Sequence, residues 1–299
     1  MKLKKIKNIG IIGGGRWSKE IIRTLDLFVD KNVTFTILST YNYIELKEWI
    51  KIFEIRNILL IKKNEKLKEI KPDILIIVNS AHDHYKTCMM AIQLKIPTLI
   101  EKPVGVTLKE VEKIFEHSKK NNPCLRASNI FLYNDYLINF KNVLNIDNQK
   151  YKSIELTWFD KQNEIRNGQV KNYDPTVPIY IDCMHHICSI LSIFTKIRLF
   201  KIEDFNFKKG GSHIKFKINN KNLDLIVNLA RNKKIRSRKL KIITKTDDVY
   251  VLNFSKEPGF IKVNEKKIIS DPDWSFKKKP LQKMLENFLN EMSCKNISK

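Results

Sequence analysis

Short apolar runs alternate with amphipathic segments over the first 125 or so residues. The apolar runs predict buried strands at Ile6–Ile12, Val33–Ser39, Asn57–Ile61, Asp73–Asn79 and Thr98–Glu101. The segments between and after them predict helices at Arg16–Val29, Ile44–Phe53, His84–Leu94 and Leu108–Lys120. Strands that alternate with helices of about 10–15 residues indicate βαβ units and a parallel, doubly wound sheet. Cys124–Asn129 would be a last strand or the crossover out of this sheet.

The pattern changes from Tyr151 onward. A strand at Ser153–Asp160 and a polar loop precede one long apolar helix, Ile179–Phe194. Alternating strands then follow at Phe200–Phe207, His213–Ile218, Leu223–Ala230, Lys239–Thr244, Val249–Phe254 and Phe260–Val263, and a last helix starts after Pro280. We therefore expect two domains, with an α/β domain at 1–125 and an α+β domain with a largely antiparallel sheet at 126–299.

The composition is that of a globular protein, with 42% hydrophobic and 29% charged residues. No apolar stretch approaches the roughly 18–20 residues that a membrane-spanning helix needs. The basic start Met1–Ile6 lacks a following cleavage site of small residues, so we expect no signal peptide. The five cysteines are widely spread without metal-ligand spacing, and we expect reduced thiols, no metal site and a cytoplasmic protein.

The formal net charge of +24 raises the question of an anionic partner, because clustered Lys and Arg recruit polyanions. Most of the excess is Lys spread along the chain, which a compositionally biased genome would also produce. One denser run comprises Arg231, Lys233, Lys234, Arg236, Arg238, Lys239 and Lys241. Two interpretations stay open: a solvated strand–turn–strand edge, which we favour, and a contact with an acidic ligand or partner.

A glycine-rich turn, Gly13-Gly14-Gly15, joins the first predicted strand to the first predicted helix. Against the pattern G-x-G-x-x-G, Gly13 and Gly15 match and Ser18 takes the third position. Such a turn lets the backbone approach a pyrophosphate, which the helix N-terminus then binds. The strand–turn–helix context favours a dinucleotide site over a plain glycine turn.

The second predicted strand ends at Ser39 and Thr40, without the Asp or Glu that binds the ribose diol of NAD. Small hydroxyl residues would tolerate a 2′-phosphate, and Arg16 would help to neutralise it. The residues therefore favour NADP(H) over NAD(H).

Two further elements carry candidate chemistry. Lys102, in the Glu101-Lys102-Pro103 turn, follows a predicted parallel strand, at the sheet edge where ligands of such folds bind. Asp182 and His186 are four residues apart, so one helix presents both on the same face. Polar groups on so apolar a helix are costly unless they are partnered or used. A surface lysine in a turn, and a capped helix with a core histidine, are the structural alternatives.

Together and in this order, these elements resemble the Gfo/Idh/MocA family of oxidoreductases. Gly10–Trp17 matches its nucleotide turn, and Glu101-Lys102-Pro103 matches its hallmark tripeptide. Asn79–His84 occupies the place of its Thr-Pro-Asn-x-x-His loop but lacks the proline. The stretches Phe131–Asn134 and Arg166–Gly168 and the Asp182/His186 helix resemble members that act on sugar nucleotides.

The resemblance implies an N-terminal Rossmann domain and hydride transfer between NAD(P) and a carbinol or carbonyl carbon of a sugar or nucleotide-linked sugar. It implies that His186 is the general base, that Lys102 stabilises the reacting oxygen and that Asp182 orients the substrate. The expected cofactor-binding residues are Gly13, Gly15, Arg16, Trp17, Ser39, Thr40, Asn79, Ser80, His84, Glu101 and Lys102. Arg166 and Tyr133 are the expected substrate-binding residues.

The partners expected on this basis are a small-molecule substrate and further copies of the chain, as a homodimer or homotetramer through the C-terminal sheet, with no membrane and no nucleic acid. Two alternatives stay open. One is a reductase of a non-sugar C=N or C=O group with the same fold. The other is a non-catalytic basic module that binds NAD(P) or a polyanion.

Overall fold

The computed structural model describes residues 6–121, 124–144, 151–166, 169–170, 173–196, 201–220, 223–263 and 266–295. The chain divides into two compact units. The first comprises Met1–Asn129 and Leu281–Lys299, and the second comprises Ile130–Pro280.

The first unit is a parallel α/β layer structure. Its strands are β1 (Asn8–Ile12), β2 (Thr34–Leu38), β3 (Ile58–Ile61), β4 (Ile74–Ile77), β5 (Thr98–Ile100) and β6 (Leu125–Ala127). Its helices are α1 (Arg16–Asp26), α2 (Tyr43–Ile52), α3 (Asn64–Ile70), α4 (His84–Gln93) and α5 (Leu108–Asn121), with a short 3-10 helix at Ala81–Asp83. The strand order is β3-β2-β1-β4-β5-β6, and every pair is parallel. The doubly wound sheet expected from the sequence is confirmed.

The central strands of this sheet are apolar along their whole length. All four residues of β4 are buried, as are four of the five in β1, because helices cover both faces of a doubly wound sheet. The carboxyl ends of β1, β4 and β5 lie at the same edge of the sheet. The glycine turn, the Asn79 loop and the Glu101-Lys102-Pro103 turn therefore follow adjacent strands at that edge.

The last helix, α8 (Pro280–Lys295), is grouped with the first unit and not with the second. Its buried face carries Met284, Leu285, Phe288 and Met292 at helical spacing. The guanidinium of Arg126 donates to both carboxylate oxygens of Glu291 on α8, through Nε at 3.1 Å and through Nη2. The division expected from the sequence placed all of 126–299 in the second domain, and the structure differs at this helix.

The second unit contains a large mixed sheet. Its strands are β7 (Tyr151–Lys161), β8 (Ile165–Arg166), β9 (Gln169–Val170), β10 (Lys201–Lys208), β11 (His213–Asn220), β12 (Leu223–Lys233), β13 (Ser237–Thr244), β14 (Val249–Asn253), β15 (Phe260–Val263) and β16 (Lys266–Ile269). Its helices are α6 (Asp135–Val143) and α7 (Ile179–Phe194), with a short 3-10 helix at Ile130–Tyr133. The eight-stranded sheet has the order β10-β11-β12-β7-β13-β14-β15-β16, and β8 pairs only with β9.

All neighbours in the eight-stranded sheet are antiparallel except β7 and β12. The largely antiparallel second half expected from the sequence is confirmed. One face of this sheet is buried together with α6 and α7 in a single core, to which Ile154, Leu156, Val227 and Leu240 belong. No helix within the described ranges is long and apolar enough to span a membrane.

Candidate functional site

The glycine turn lies directly after β1, and two of its three glycines leave no room for a side chain. Gly13 has a φ of +133°, and a Cβ there would lie 2.7 Å from the Val78 carbonyl oxygen. A Cβ on Gly14 would lie 2.1 Å from Ser39 Oγ, whereas one on Gly15 would meet nothing within 4 Å. The turn is therefore packed on the sheet at Gly13 and Gly14 and open at Gly15.

The N-terminus of α1 follows this turn. Gly15 is its N-cap residue, no side chain caps it, and no acidic residue lies in its first turn. The N–H groups of the first turn of a helix have no partner inside the helix and, with the helix dipole, favour an anion. A glycine-lined backbone beside these groups fits the pyrophosphate of a dinucleotide, with Arg16 as the first helical residue.

The residues after β2 bear on the ribose end of such a cofactor. Ser39 is buried against the glycine turn, and Thr40 is exposed with its hydroxyl donating to the Lys62 carbonyl at 3.3 Å. The Lys62 ammonium lies 4.4 Å from the centre of the Tyr43 ring. The residues after β2 thus include the hydroxyl groups of Ser39 and Thr40, with Lys62 adjacent to Thr40. Residues 39–42 contain no carboxylate.

His84, at the start of α4, connects two of the loops at this edge. Its Nδ1 lies 2.6 Å from the Pro103 carbonyl oxygen, and its Nε2 lies 3.2 Å from the Asn79 carbonyl oxygen. The residue is 1% exposed, and burial lowers the pKa of its imidazole. Both ring nitrogens face backbone carbonyls. His84 therefore links the β4 and β5 loops.

Two other residues of the β4 loop were expected to bind the cofactor. Asn79 donates through Nδ2 to Thr87 Oγ1 at 2.9 Å, so its amide is anchored to α4. Ser80 is exposed, immediately before the short helix at Ala81–Asp83. Of the two, Ser80 is the one that presents its side chain to solvent.

Glu101 and Lys102 follow β5, and a cis peptide bond joins Lys102 to Pro103. Burial raises the pKa of the Glu101 carboxyl; the Ser128 side chain, the Lys102 charge and the Trp17 indole oppose this shift. The Trp17 indole nitrogen is itself buried. Glu101 and Trp17, both expected to bind cofactor, thus lie close to each other inside the first unit, which indicates a supporting role under the turn that carries Lys102.

In the second unit, α7 carries Asp182 in its first turn and His186 one turn later. The His186 ring lies against two aromatic rings, with centroids 4.9 Å from Phe131 and 5.5 Å from Trp158. Phe131 belongs to the short helix Ile130–Tyr133, and Trp158 to β7. His186 is therefore held by aromatic side chains from two other elements.

Asp182 forms an ion pair that the sequence did not reveal. Its Oδ2 accepts from Arg231 Nη2 at 2.8 Å, and Arg231 Nη1 donates to the Val177 carbonyl oxygen at 3.1 Å. The Arg231 guanidinium also lies 4.9 Å from the Tyr173 ring centre. Arg231 comes from β12, so the large sheet holds the first turn of α7 and the loop before it.

The dense basic run from Arg231 to Lys241 is not a solvated edge, and this expectation was wrong. The strands that carry it, β12 and β13, lie on either side of β7, while the sheet edges are β10 and β16. Arg236 pairs with Glu164 at 3.0 Å, and Arg238 forms an ion pair with Asp160 in which both side chains are 2% exposed. The arginines point inward because each has a carboxylate partner there.

The two residues expected to bind substrate are both in the second unit. Tyr133 ends the short helix Ile130–Tyr133 and is partly exposed, two residues after the Phe131 that contacts His186. Arg166 ends β8, and its side chain lies outside the described part of the chain, as do Asn167 and Gly168. Within the described ranges, no group of three or more His, Cys, Asp or Glu residues could hold a metal ion.

Sequence reasoning missed Gly14, Arg231 and Trp158 as parts of these sites. For Arg231 a signal existed, because it continues the alternation of the buried residues Leu225, Val227 and Leu229 on β12. For Gly14 and Trp158 the signal is three-dimensional, since their roles come from Ser39 and His186, which are distant in the chain.

Comparisons with known proteins agree with this geometry. Residues 7–128 match the family model described as an oxidoreductase family with an NAD-binding Rossmann fold. No curated protein matches the chain in a direct sequence search. Among solved structures, UDP-N-acetylglucosamine 3-dehydrogenase from Acidithiobacillus ferrooxidans is similar, with a TM-score of 0.72, 14% identity, and coverage of 96% of this chain and 89% of that one.

Two further solved structures share the fold. Myo-inositol dehydrogenase from Lactobacillus casei, in complex with NAD(H) and myo-inositol, has a TM-score of 0.74, 13% identity, and coverage of 97% of this chain and 87% of that one. A Gfo/Idh/MocA family oxidoreductase from Vibrio cholerae has a TM-score of 0.72, 15% identity, and coverage of 96% and 90%. The resemblance inferred from the sequence is confirmed: residues 7–128 match the NAD-binding Rossmann domain of the Gfo/Idh/MocA oxidoreductase family.

Proposed function

We propose that this protein transfers a hydride between a nicotinamide cofactor and a carbinol or carbonyl carbon of a sugar or nucleotide-linked sugar. The observation that carries the proposal is the position of Lys102. It follows β5 at the same sheet edge as the glycine turn after β1, with β4 between the two strands. An ammonium group at this edge suits a reaction in which negative charge develops on an oxygen beside the cofactor.

The bound cofactor would supply the hydride chemistry, and the chain's own residues would bind, orient and move the proton. We propose that His186 takes the proton of the substrate hydroxyl in the oxidative direction, because imidazole titrates near neutral pH. Lys102 donates a hydrogen bond to the reacting oxygen and stabilises its developing charge. Asp182 orients the substrate through hydrogen bonds to its hydroxyl groups, and Tyr133 and Arg166 contribute to substrate binding.

The cofactor would be held by the open backbone at Gly15, by the first turn of α1 and by the loops after β2 and β4. We propose a preference for NADP(H). Ser39 and Thr40 leave room for a 2′-phosphate. Arg16 is the first residue of α1, and Lys62 is the residue whose carbonyl oxygen accepts from the Thr40 hydroxyl. The comparison structure from Lactobacillus casei was determined with NAD(H), so the preference is a property to be measured for this chain.

A sugar or a sugar nucleotide is proposed as substrate because of the enzymes that share the fold. Their names give UDP-N-acetylglucosamine 3-dehydrogenase and myo-inositol dehydrogenase activities, both of which act on ring hydroxyl groups. A carboxylate and an imidazole one helical turn apart suit a substrate with neighbouring hydroxyl groups, since the first can orient one hydroxyl while the second deprotonates another.

We further propose that the chain self-associates through the outward face of its eight-stranded sheet. A shallow cavity of about 430 Å³ lies on this face, lined by Glu155, Thr157, Lys239, Lys241, Val249, Val251 and Lys262. Analytical ultracentrifugation would show a dimer or tetramer, and Val251→Arg would dissociate it by adding a like charge. A wild-type monomer at all concentrations would overturn this proposal.

The first test is titration of the purified protein with NADPH and NADH, followed by cofactor fluorescence. We expect binding of at least one cofactor at micromolar concentration, and no binding would overturn the proposed function. Steeply salt-dependent binding of a DNA or RNA duplex in its place would support the non-catalytic basic module.

The second test is turnover of UDP-N-acetylglucosamine and myo-inositol. Lys102→Ala and His186→Ala should each lower kcat/KM by about 100-fold or more, a size typical of a lost acid–base or electrostatic group. Lys109→Ala, on the exposed start of α5, and His185→Ala, on the same helix as His186, are the matched controls and should retain activity. Equal losses in variants and controls would contradict the assigned roles. Turnover of an imine or a non-sugar ketone alone would favour the non-sugar reductase.

A further inference from the structure

The Arg231 side chain connects three parts of the second unit. Nη2 donates to Asp182 Oδ2 at 2.8 Å, Nη1 donates to the Val177 carbonyl oxygen at 3.1 Å, and the guanidinium lies over the Tyr173 ring. The side chain is only 11% exposed, and that of Asp182 is 23% exposed. A planar guanidinium that makes two hydrogen bonds in different directions fixes the relative positions of both acceptors.

The strand that carries Arg231 provides a rigid base for this contact. β12 pairs with β11 on one side and with β7 on the other, so it is an interior strand. The pairing of β12 with β7 shifts register between Ala230 and Lys233, which is a bulge-type irregularity in the segment that contains Arg231. Such irregularities re-aim a side chain and are frequent beside functional sites.

The acceptors lie where the helix α7 begins. Val177 immediately precedes the N-cap residue Pro178, and the Asp182 backbone N–H donates to the Pro178 carbonyl at 3.1 Å. His186 follows Asp182 by one turn, with its ring against Phe131 and Trp158. Because Arg231 binds both the Val177 carbonyl oxygen and Asp182 Oδ2, it fixes the start of α7 and with it the positions of the Asp182 carboxylate and the His186 imidazole.

We propose that Arg231 is a positioning residue for the reaction, which acts through Asp182 by holding its Oδ2 and through α7 by fixing the first turn below His186. The proposal rests on the proposed function for its catalytic consequence. It makes Asp182 an oriented hydrogen-bond acceptor and leaves the proton transfer to His186. Because misplacement by about 1 Å costs up to about 100-fold in rate, loss of Arg231 would lower kcat without removing any group that touches the substrate.

The kinetic test uses Arg231→Lys and Arg231→Met with UDP-N-acetylglucosamine or myo-inositol, whichever the wild type turns over. We expect a fall in kcat of about 10–100-fold, with the dissociation constant of NADPH or NADH unchanged. Combination of Arg231→Met with Asp182→Asn should lower kcat by less than the product of the two single effects, since the two residues act in part together. Additive losses in the double variant would overturn the proposal.

The control is Arg236→Met, which breaks the neighbouring Arg236–Glu164 pair and leaves α7 untouched. It should lower the melting temperature, as Arg231→Met does, while retaining kcat. Equal losses of kcat in both variants would indicate a merely structural role and overturn the proposal. Arg231→Lys keeps the charge and the aliphatic stem, so it tests the hydrogen bonds even where Arg231→Met fails to fold.

A readout without turnover separates this proposal from the proposed function. Protein labelled with ¹⁵N-histidine gives ring resonances for His186, which the variant His186→Gln assigns. We expect these resonances to shift in Arg231→Met and in Arg231→Lys and to stay unchanged in Arg236→Met. Unchanged His186 resonances in folded Arg231→Lys would overturn the positioning role. A wild type that binds neither cofactor while these shifts occur would overturn the proposed function alone.

Discussion

Replacement of Arg238 by Met is the perturbation whose cost the structure defines best. Arg238 and Asp160 form an ion pair in which both side chains are 2% exposed. The guanidinium also donates to the Phe159 carbonyl oxygen and lies 3.7 Å from the centre of the Trp158 ring. Burial lowers the pKa of Arg238, although the Asp160 charge opposes this, which reflects the cost of placing the charge in the core. Arg238→Met keeps most of the volume and removes the charge that compensates Asp160.

The expected loss is about 3–5 kcal/mol in the free energy of unfolding, the range measured when one partner of a buried pair is removed. An exposed pair provides the contrast. Lys152 and Asp247 are 61% and 71% exposed, so Lys152→Met should change the free energy by less than about 1 kcal/mol. Since whole domains are stable by only about 5–15 kcal/mol, the two variants are readily distinguished.

Urea denaturation followed by circular dichroism measures both variants. Asp160→Asn combined with Arg238→Met should recover part of the stability lost in Arg238→Met, because it removes the buried charge left behind. If Arg238→Met lowers the free energy of unfolding by less than about 1 kcal/mol, or by no more than Lys152→Met does, the Arg238–Asp160 pair does not contribute the stability proposed for it. The argument from burial would then be refuted.

Three further expectations concern the first unit. Gly15→Ala should weaken the binding of NADPH or NADH about 10-fold and keep the melting temperature within about 2 °C of wild type. Gly14→Ala, whose Cβ would lie 2.1 Å from Ser39 Oγ, should lower both the cofactor affinity and the melting temperature. Equal melting temperatures in the two variants would contradict this. Burial raises the pKa of Glu101, so its contribution to stability is complete below its ordinary pKa and is lost as the pH rises through the raised value. The melting temperature of Glu101→Gln should therefore rise relative to that of wild type as the pH increases. A difference between the two melting temperatures that does not change with pH would count against this. Burial lowers the pKa of His84, so its contribution to stability is present above the ordinary pKa of histidine and is lost as the pH falls through the lowered value. The melting temperature of wild type should therefore fall as the pH drops below that ordinary value, and this fall should be smaller in His84→Gln; an equal fall in both proteins would contradict it.

Periodicity along the chain predicted the long elements well, for a physical reason. Helix α7 was predicted at its observed bounds, Ile179–Phe194, because it buries seven of its residues and so needs an apolar sequence throughout. The strands of the parallel sheet were predicted within two residues at each end, since strands buried on both faces are continuous apolar runs.

Short elements escaped prediction because their sequences carry little hydrophobic signal. Helix α3 (Asn64–Ile70) buries one residue, Leu67, and all four residues of β16 (Lys266–Ile269) are exposed. Helix α6 (Asp135–Val143) buries three, which periodicity over nine residues does not separate from a loop. These segments are ordered by contacts with distant parts of the chain rather than by their own pattern.

The candidate catalytic residues could be predicted from sequence motifs, but the side chains that pack against them could not. Asp182 and His186 follow from spacing on one helix, whereas the Phe131 and Trp158 rings reach His186 from a short helix and from β7. The strand order that places β12 and β13 on either side of β7 is a long-range property of the sheet. A run of basic residues was therefore taken for an edge although it flanks an interior strand.

In the second unit, the arginines and the lysines that contribute to the positive charge of the chain lie in different environments. Arg231, Arg236 and Arg238 each pair with a carboxylate in or near the core, because a guanidinium can donate to a carboxylate and to a backbone carbonyl at once. Lys239 and Lys262, in contrast, are exposed on the outward face of the sheet. Salt screens exposed charges and leaves buried pairs almost unaffected. If both proposals hold, added salt should therefore alter the proposed self-association and anion binding at the lysine face, while kcat of the proposed reaction, which would depend on the arginine-held helix α7, should stay nearly constant.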